Sequence, residues 1–295
     1  MGRKALFLLL LLGSTLASAH QRTDSVELPV AKYLHNARAA VSYTFDDGLL
    51  EHYTLVFPHL EALGLKGTFW IIGHNIDTRK RMREAEPMTW EQVRQLGEHG
   101  HEIASHSFSH TSFLRLTPEG MYREIEQNDS AIYANTGFHP RTLCFPGNAK
   151  TDSIVAYVEA HPSILAVRTR QQAVGGARTP DSLHIRQWLD GVVESGEWGV
   201  GMTHAIMKGY DAFPDSSVFG AHLAYAKQLS DAGILWVATF ADVAAYCKGV
   251  SDTVTYLLPR KPKRVKYGKC RLKPYQSCDG TWCVDAPRGA KLRVR

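Results

Sequence analysis

VSYTFDDG, residues 41–48 of this 295-residue chain, begins as a β-strand and ends in two adjacent carboxylates and a glycine. The largely apolar run before Asp46 is typical of a buried strand. Neighbouring strand residues point to opposite faces, but Gly48 permits a sharp turn, so Asp46 and Asp47 can face one cleft. The same letters also fit a solvated polar turn. The stretch therefore predicts a buried strand whose carboxyl end carries either a turn or a functional site.

Strand-like runs alternate with segments of helical period between residues 39 and 238. The runs predicted as strands are 39–45, 67–72, 102–104, 142–145, 164–167, 200–203 and 234–238, and the segments predicted as helices are 50–63, 89–98, 117–135, 152–160 and 217–232. Capping signals support several helix ends, such as Thr117 followed by proline and Thr89 with Gln92. This alternation predicts an α/β fold with a mainly parallel sheet, open or closed into a barrel. Active sites of such folds gather at the carboxyl ends of the strands.

Histidines occur in two further motifs. In GHEIASHSFSH, residues 100–110, His106 and His110 are four residues apart, so on one helical turn both imidazoles would point the same way, as a chelating pair requires. VGMTH, residues 200–204, is an apolar strand that ends in His204. Taken singly, each motif is also compatible with surface or structural histidines.

Taken together and in this order, TFDDG, HSFSH and MTH resemble the polysaccharide deacetylase family, the NodB-homology domains or family 4 carbohydrate esterases. The resemblance runs from about residue 39 to about residue 246. It implies an irregular (β/α) barrel of the NodB type that holds one divalent metal ion, usually zinc, with cobalt, nickel or manganese as alternatives. Carried over position by position, it implies metal ligation by Asp47, His106 and His110, general-base catalysis by Asp46 and general-acid catalysis by His204.

The residue types suit hydrolysis of an acetyl group. Two neutral imidazoles and one carboxylate leave open positions on a metal for water and for the substrate carbonyl oxygen. A metal lowers the pKa of water from 15.7 to about 7 in favourable sites, so a carboxylate such as Asp46 can complete the deprotonation. An amine leaves poorly unless it is protonated, and His204 can supply that proton near neutral pH.

Two positions depart from the family's pattern. The third motif commonly begins with an arginine that tethers the base, whereas LCFPG, residues 143–147, has Cys144 there, followed by Gly147 where a backbone oxyanion donor is expected. The fourth motif aligns with HIRQW, residues 184–188, which has Gln187 in place of the aspartate that orients the catalytic histidine. We therefore expect both supporting charges to be absent from a divergent enzyme.

The fourth motif leaves two roles open. Trp188 is either a wall of the acetyl pocket or a plain core residue. The partner of the second ring nitrogen of His204 is either another carboxylate, with Asp181 and Asp190 nearest in sequence, or a neutral acceptor.

The two ends of the chain differ from its middle. Residues 1–19 resemble a signal peptide, with Arg3 and Lys4 before an apolar run and Ala17-Ser-Ala19 as the cleavage site, so we expect an exported, extracellular or periplasmic protein without a transmembrane segment. A deacetylase domain is predicted over residues 20–248. Residues 249–295 carry 12 Lys and Arg against 3 Asp, a net charge of +9 that leaves −4 for the remainder of the +5 chain. This short, basic, cysteine-containing tail is expected to be a solvated extension or to contact an anionic polymer or membrane surface.

The five cysteines divide into one early and four late residues. Cys247, Cys270, Cys278 and Cys283 cluster in an exported segment with few apolar residues, so some of them are expected to form disulfides. Cys144 stands alone and is expected to stay a free thiol.

The leading hypothesis is a secreted, metal-dependent N-deacetylase acting on a polysaccharide that contains N-acetylglucosamine, such as peptidoglycan, a chitin-like polymer or an exopolysaccharide. An O-acetyl esterase of xylan-like chains would use the same residues. A carbohydrate-binding relative with impaired catalysis is a third possibility. A mononuclear iron oxygenase also uses two histidines and one carboxylate, but it explains neither Asp46 nor His204. No nucleic-acid partner is predicted.

Overall fold

A computed structural model of the protein describes residues 27–78, 85–174, 182–207, 212–213 and 215–295, with the backbone alone for residues 182–185 and 212. The predicted signal peptide and Asp181 lie outside the described residues. Among the helices of the described part, none is both long and apolar enough to cross a bilayer.

A parallel sheet forms the centre of the molecule. The strands that precede the basic tail are β1 (Ala39–Phe45), β2 (Thr68–Ile71), β3 (Glu102–Ser105), β4 (Thr142–Cys144), β5 (Ala166–Arg168), β6 (Gln172–Ala173), β7 (Trp198–Thr203), β8 (Ala205–Ile206), β9 (Ala212–Phe213) and β10 (Leu235–Val237). The main sheet has the order β5-β4-β3-β2-β1-β7-β6, and β10 pairs with the first half of β1. All its pairings are parallel, and β8 and β9 form a separate parallel pair. The sheet curls into a half-barrel, which confirms the predicted irregular (β/α) barrel.

Helices cover the outside of this sheet. They are α1 (Phe57–Ala62), α2 (Trp90–Glu98), α3 (Pro118–Thr136), α4 (Asp152–Glu159), α5 (Ser182–Ser195), α6 (Ser216–Asp231) and α7 (Phe240–Cys247), and a π-helical turn at His52–Val56 precedes α1. The capping box of Thr89 and Gln92 is present, and Thr117 caps α3 as predicted. Helices α5 and α7 were not predicted from the sequence. Helix α7 is buried on most sides and so lacks an amphipathic period, and Gly191 with its neighbouring valines lowers the helix propensity of α5.

The two faces of β1 have different environments. Phe45 stacks on Phe69 with ring centroids 5.1 Å apart, and contacts Phe219 of α6 at 6.2 Å, on the helix-covered face. Thr44 and Asp46 point to the other face, since alternate strand residues share a side. The curl of the sheet therefore encloses Asp46 and leaves the aromatic core outside it.

The basic tail is folded, so the expectation of a solvated extension is wrong. Its strands are β11 (Thr253–Leu258), β12 (Val265–Tyr267), β13 (Cys270–Leu272), β14 (Tyr275–Gln276), β15 (Trp282–Pro287) and β16 (Leu292–Val294). They form two antiparallel three-stranded sheets, β11-β15-β14 and β13-β12-β16. Val254, Val265 and Val284 bury their side chains in one cluster with Tyr246 of α7. Alternation of apolar and basic residues lets this segment form a core despite its charge.

The expectation of disulfides is also wrong. All five cysteines are free thiols, and Cys144 and Cys283 are buried, whereas the other three are exposed. The Cys283 thiol lies 3.7 Å from the Ser277 hydroxyl oxygen and 3.6 Å from the Thr281 carbonyl oxygen. Buried apolar side chains and strand pairing, and not the expected disulfides, thus stabilise the tail.

Candidate active site

The backbone turns sharply at the carboxyl end of β1. Asp47 and Gly48 both have left-handed conformations, with φ of 80° and 68°. A Cβ added at Gly48 would meet only the mobile end of a side chain, Ile76 Cδ1 at 2.9 Å, so the positive φ is the main reason for glycine here. Asp46 and Asp47 are 3% and 1% exposed, and a solvated turn is thereby excluded.

His106 and His110 follow β3, but they are not on a helical turn as expected. Ser107 and His110 have positive φ values of 62° and 60°, which a right-handed helix does not allow. The Ser107 hydroxyl oxygen accepts a hydrogen bond from the His110 backbone N–H at 3.1 Å and stabilises this loop. The two imidazoles still converge, with ring centroids 4.8 Å apart.

Three side chains form a set of donors that suits one metal ion. The Nε2 atoms of His106 and His110 lie 3.4 Å and 3.7 Å from Asp47 Oδ1. Nitrogen and oxygen ligands held tetrahedrally at about 2.0–2.2 Å from zinc are themselves about 3.3–3.6 Å apart. The spacing of these three residues therefore fits the metal that the family resemblance implies.

The ring of His106 is oriented from its other side. Its Nδ1 lies 3.0 Å from the Cys144 carbonyl oxygen and 2.8 Å from the Cys144 sulfur. Donation from Nδ1 to that carbonyl leaves Nε2 free of its proton and directed at Asp47, as a metal ligand requires. Asp46, His106 and Cys144 are also close enough to form a donor set, but the carboxylate of Asp46 is already occupied by a cation.

That cation is Arg168 on β5, and it corrects the expectation that the arginine next to the base is missing. Its guanidinium donates to Asp46 Oδ1 at 2.7 Å and to Oδ2 at 2.5 Å, and a further bond of 2.7 Å reaches the Thr44 hydroxyl. Arg168 is 3% exposed and lies over the Trp70 ring at 5.3 Å. The curl of the sheet brings β5 opposite β1, so a different strand supplies the charge that Cys144 does not.

This ion pair sets the charge state of Asp46. Burial by itself would raise the pKa of the carboxyl, but the Arg168 guanidinium outweighs it and holds the pKa of Asp46 below its ordinary value. Asp46 is consequently ionised at neutral pH. A bidentate pair with a planar guanidinium also fixes the orientation of the carboxylate.

His204 lies where β7 ends, across from the three candidate metal ligands. Its Nε2 is 3.9 Å from Asp47 Oδ2. Gln187, which stands where the family has the orienting aspartate, is exposed on α5. Asp190, a candidate partner of His204, instead accepts a hydrogen bond of 2.5 Å from the Tyr225 hydroxyl. The fourth-motif alignment therefore does not identify the partner of His204.

His52 is a buried residue of the site that the sequence analysis missed. Its Nδ1 accepts a bond of 3.3 Å from the Leu49 N–H, so Nε2 carries the proton and donates it to the His204 carbonyl oxygen. Burial lowers the pKa of His52 to about 4, which keeps the ring neutral. His52 thus links the turn after β1 to the end of β7. The signal available in the sequence was a histidine one helical turn beyond Asp47-Gly48.

Replacement of His52 by alanine should disturb the placement of His204 and leave the candidate metal ligands Asp47, His106 and His110 in position. The partly buried His204 carbonyl would lose the hydrogen bond from His52, at a cost of about 1–3 kcal/mol in the free energy of unfolding. Urea denaturation of His52→Ala and His52→Gln checks this, since only glutamine retains a donor. Equal stability of the alanine variant and the unmodified protein would contradict the role.

Trp188 and Gly147, the two remaining candidate site residues, have different surroundings. Trp188 contacts the Tyr43 ring at 6.4 Å and lies against Gly201, on the face of β1 opposite Asp46, which favours the core interpretation over the acetyl-pocket wall. Gly147 follows β4 in an exposed turn with φ of 62°, close in sequence to Cys144. Its position at the carboxyl end of β4 is compatible with an oxyanion donor, and that role stays a prediction.

Comparison with known proteins agrees with this arrangement. The sequence model of the polysaccharide deacetylase family matches residues 35–163, which include both aspartates and both loop histidines and end before Arg168 and His204. YxkH of Bacillus subtilis (strain 168) is 32% identical over 146 residues, 49% of this chain and 50% of YxkH. The peptidoglycan-N-acetylglucosamine deacetylase PgdA of Listeria monocytogenes is 29% identical over 128 residues, 43% of this chain and 25% of PgdA. The chain thus spans half or less of the length of these relatives.

A solved structure supports the fold independently. The family 4 acetyl xylan esterase of Clostridium thermocellum, in complex with a cobalt ion, superposes with a TM-score of 0.54 at 19% identity, and the match covers 72% of this chain and 93% of the esterase. The family match over residues 35–163, together with the parallel half-barrel, confirms the resemblance stated from the motifs, and this part of the chain matches the polysaccharide deacetylase family.

Proposed function

We propose that the protein is a secreted, metal-dependent deacetylase that hydrolyses acetamido groups of a polysaccharide containing N-acetylglucosamine. The observation that carries this proposal is the convergence of Asp47, His106 and His110 beside an Asp46 carboxylate held ionised by Arg168. The name of the Listeria relative, a peptidoglycan-N-acetylglucosamine deacetylase, supports an N-acetyl substrate. The signal-peptide pattern of residues 1–19 supports export.

The chain's own residues divide the chemistry among them. Asp47, His106 and His110 would hold one divalent metal, and zinc is the first candidate for two imidazoles and a carboxylate. Bound there, a divalent ion supplies Lewis acidity toward a carbonyl oxygen and lowers the pKa of water. Asp46 accepts the proton of the attacking water, and its bidentate pair with Arg168 keeps it ionised and in position. His204 donates a proton to the departing amine.

Acetate release tests the proposal directly. The metal-stripped protein would be reconstituted separately with zinc, cobalt, nickel and manganese and assayed on chitooligosaccharides, peptidoglycan, a partly acetylated exopolysaccharide and acetylxylan. Metal-dependent acetate release from the N-acetylated polymers supports the proposal. Release from acetylxylan alone would reassign the site to an O-acetyl esterase, and metal binding without turnover on any polymer would indicate a carbohydrate-binding relative.

Substitution of His204 separates general-acid catalysis from a structural role. His204→Ala should reduce hydrolysis of an acetamide by roughly 10²- to 10⁴-fold, because an amine leaving group needs a proton. It should spare nitrophenyl acetate, whose leaving group does not. Parallel kinetics on the two substrates, with metal content measured for both proteins, check this expectation. Equal losses on amide and ester would show that His204 positions substrate or supports the fold instead.

A further inference from the structure

The exposed face of the sheet β13-β12-β16 carries lysine and arginine side chains. Lys266 on β12 pairs directly with Arg271 on β13 on one side and with Arg293 on β16 on the other. Arg264 and Arg295 extend the rows, since each donates its backbone N–H to the carbonyl of the other, at 3.0 Å and 2.9 Å. Residues opposite one another in a sheet share a face, so these five side chains, here called the basic face, lie on one side.

The opposite side of the same sheet is apolar. Val265 is fully buried and Leu292 is 7% exposed, and both belong to the tail's hydrophobic cluster. Four of the five side chains of the basic face are exposed, and Lys266 on the central strand is half-buried. The sheet is thus amphipathic, with its charge concentrated on the outer side.

The tail's acidic residues do not neutralise this face. Asp252 precedes β11, Asp279 lies in the turn between β14 and β15, and Asp285 on β15 pairs with His35 at 2.9 Å. Like charges placed opposite each other destabilise a sheet, so three neighbouring cations in one cross-strand row weaken the free protein. An anionic partner would remove that repulsion.

We propose that the basic face binds an anionic polysaccharide and thereby holds the catalytic domain against its polymer. Adjacent strands are about 4.8 Å apart and alternate residues along a strand about 7 Å, so the cations form a flat grid that suits a chain with recurring carboxylates. The face carries no aromatic side chain on which a nucleic-acid base could stack, and no large apolar side chain to enter a membrane, because Tyr267 and Val294 have the opposite parity on their strands. The choice of a polysaccharide rests on the proposed function.

Binding of the full chain to immobilised polygalacturonate tests the inference, with neutral dextran as the reference polymer. Affinity for polygalacturonate should fall steeply between about 0.05 M and about 0.5 M sodium chloride as the ionic atmosphere shortens the range of the attraction. The triple variant Lys266→Gln, Arg271→Gln, Arg293→Gln should bind at least about tenfold more weakly. Its acetate release from a short, neutral chitooligosaccharide should be unchanged, so failure of this proposal is distinguishable from failure of the proposed function.

A matched variant separates the geometry of the face from net charge. The control is the triple variant Arg260→Gln, Lys263→Gln, Lys269→Gln, which removes an equal number of positive charges from exposed positions of the tail outside the basic face. It should bind polygalacturonate nearly as the unmodified chain does. An equal loss in both variants, or no salt-dependent binding by the unmodified chain, would overturn the inference. Tighter binding to single-stranded DNA or to phosphatidylglycerol vesicles than to polygalacturonate would overturn the assignment to a polysaccharide.

Discussion

Replacement of Arg168 by methionine should produce a protein that is both less stable and less active at low pH. The Asp46 carboxylate would remain buried without its partner, which for buried ion pairs costs roughly 3–5 kcal/mol in the free energy of unfolding. Burial raises the pKa of Asp46, and without the guanidinium nothing of comparable size opposes that effect. A protonated Asp46 cannot accept a proton from water. The acidic limb of the pH dependence of kcat/KM should therefore move to higher pH, with partial recovery of activity as the pH is raised.

Two controls make this expectation specific. Arg170→Met removes an exposed arginine two residues away and should change neither stability nor the pH profile. The double variant Asp46→Asn, Arg168→Met removes both charges, so its loss of stability in urea should be smaller than the sum of the two single losses. An acidic limb that stays in place in Arg168→Met would show that Arg168 does not set the charge state of Asp46.

Asp46 and Asp47, although adjacent, should differ in their effect on metal binding when each is replaced by asparagine, although both replacements should lower activity. Asp46→Asn should lower acetate release by roughly 10²- to 10⁴-fold while the metal stays bound, because a carboxamide cannot act as a base. Asp47→Asn should lose metal as well as activity. Its affinity for the metal should fall by more than the roughly 10- to 100-fold that follows removal of a residue hydrogen-bonded to a metal ligand.

Metal content after dialysis, measured beside acetate release, distinguishes the two aspartates. His106→Ala serves as a reference for the loss of a ligand, since its Nε2 lies 3.4 Å from the same Asp47 oxygen. Metal loss from Asp46→Asn with retention in Asp47→Asn would reverse the assigned roles.

The elements that could be predicted from the sequence are those whose signal is local. Strand β1 matches its predicted range of 39–45, and the motif residues Asp47, His106 and His110 converge because neighbouring parallel strands end at one edge. Arg168 could not be paired with Asp46, because 122 residues separate them and the contact depends on how the sheet curls. The only local sequence feature that pointed to Arg168 was its position as a charged residue at the end of an apolar strand.

Other differences have local physical causes. The four-residue spacing of His106 and His110 is compatible with a helix and with the observed loop. The left-handed backbone conformation of Ser107, which distinguishes the two, cannot be recognised from the sequence. In the tail, net charge concealed a period-two pattern: Val265 and Tyr267 alternate with Lys266, which is a strand signal. Composition identified this segment correctly as basic, but it did not show that the segment folds into two small sheets.

The position of β5 at the end of the sheet makes the site vulnerable to a local opening. Among the described strands β5 pairs only with β4, over three residues, whereas β1 is paired along both edges. End strands separate from a sheet at a lower free-energy cost than central ones do. If β5 detached, Arg168 would leave Asp46 while the remaining strands stayed folded. Catalysis should thus disappear at a lower denaturant concentration than most of the circular-dichroism signal, and the amide protons of β5 should exchange with solvent sooner than those of β1.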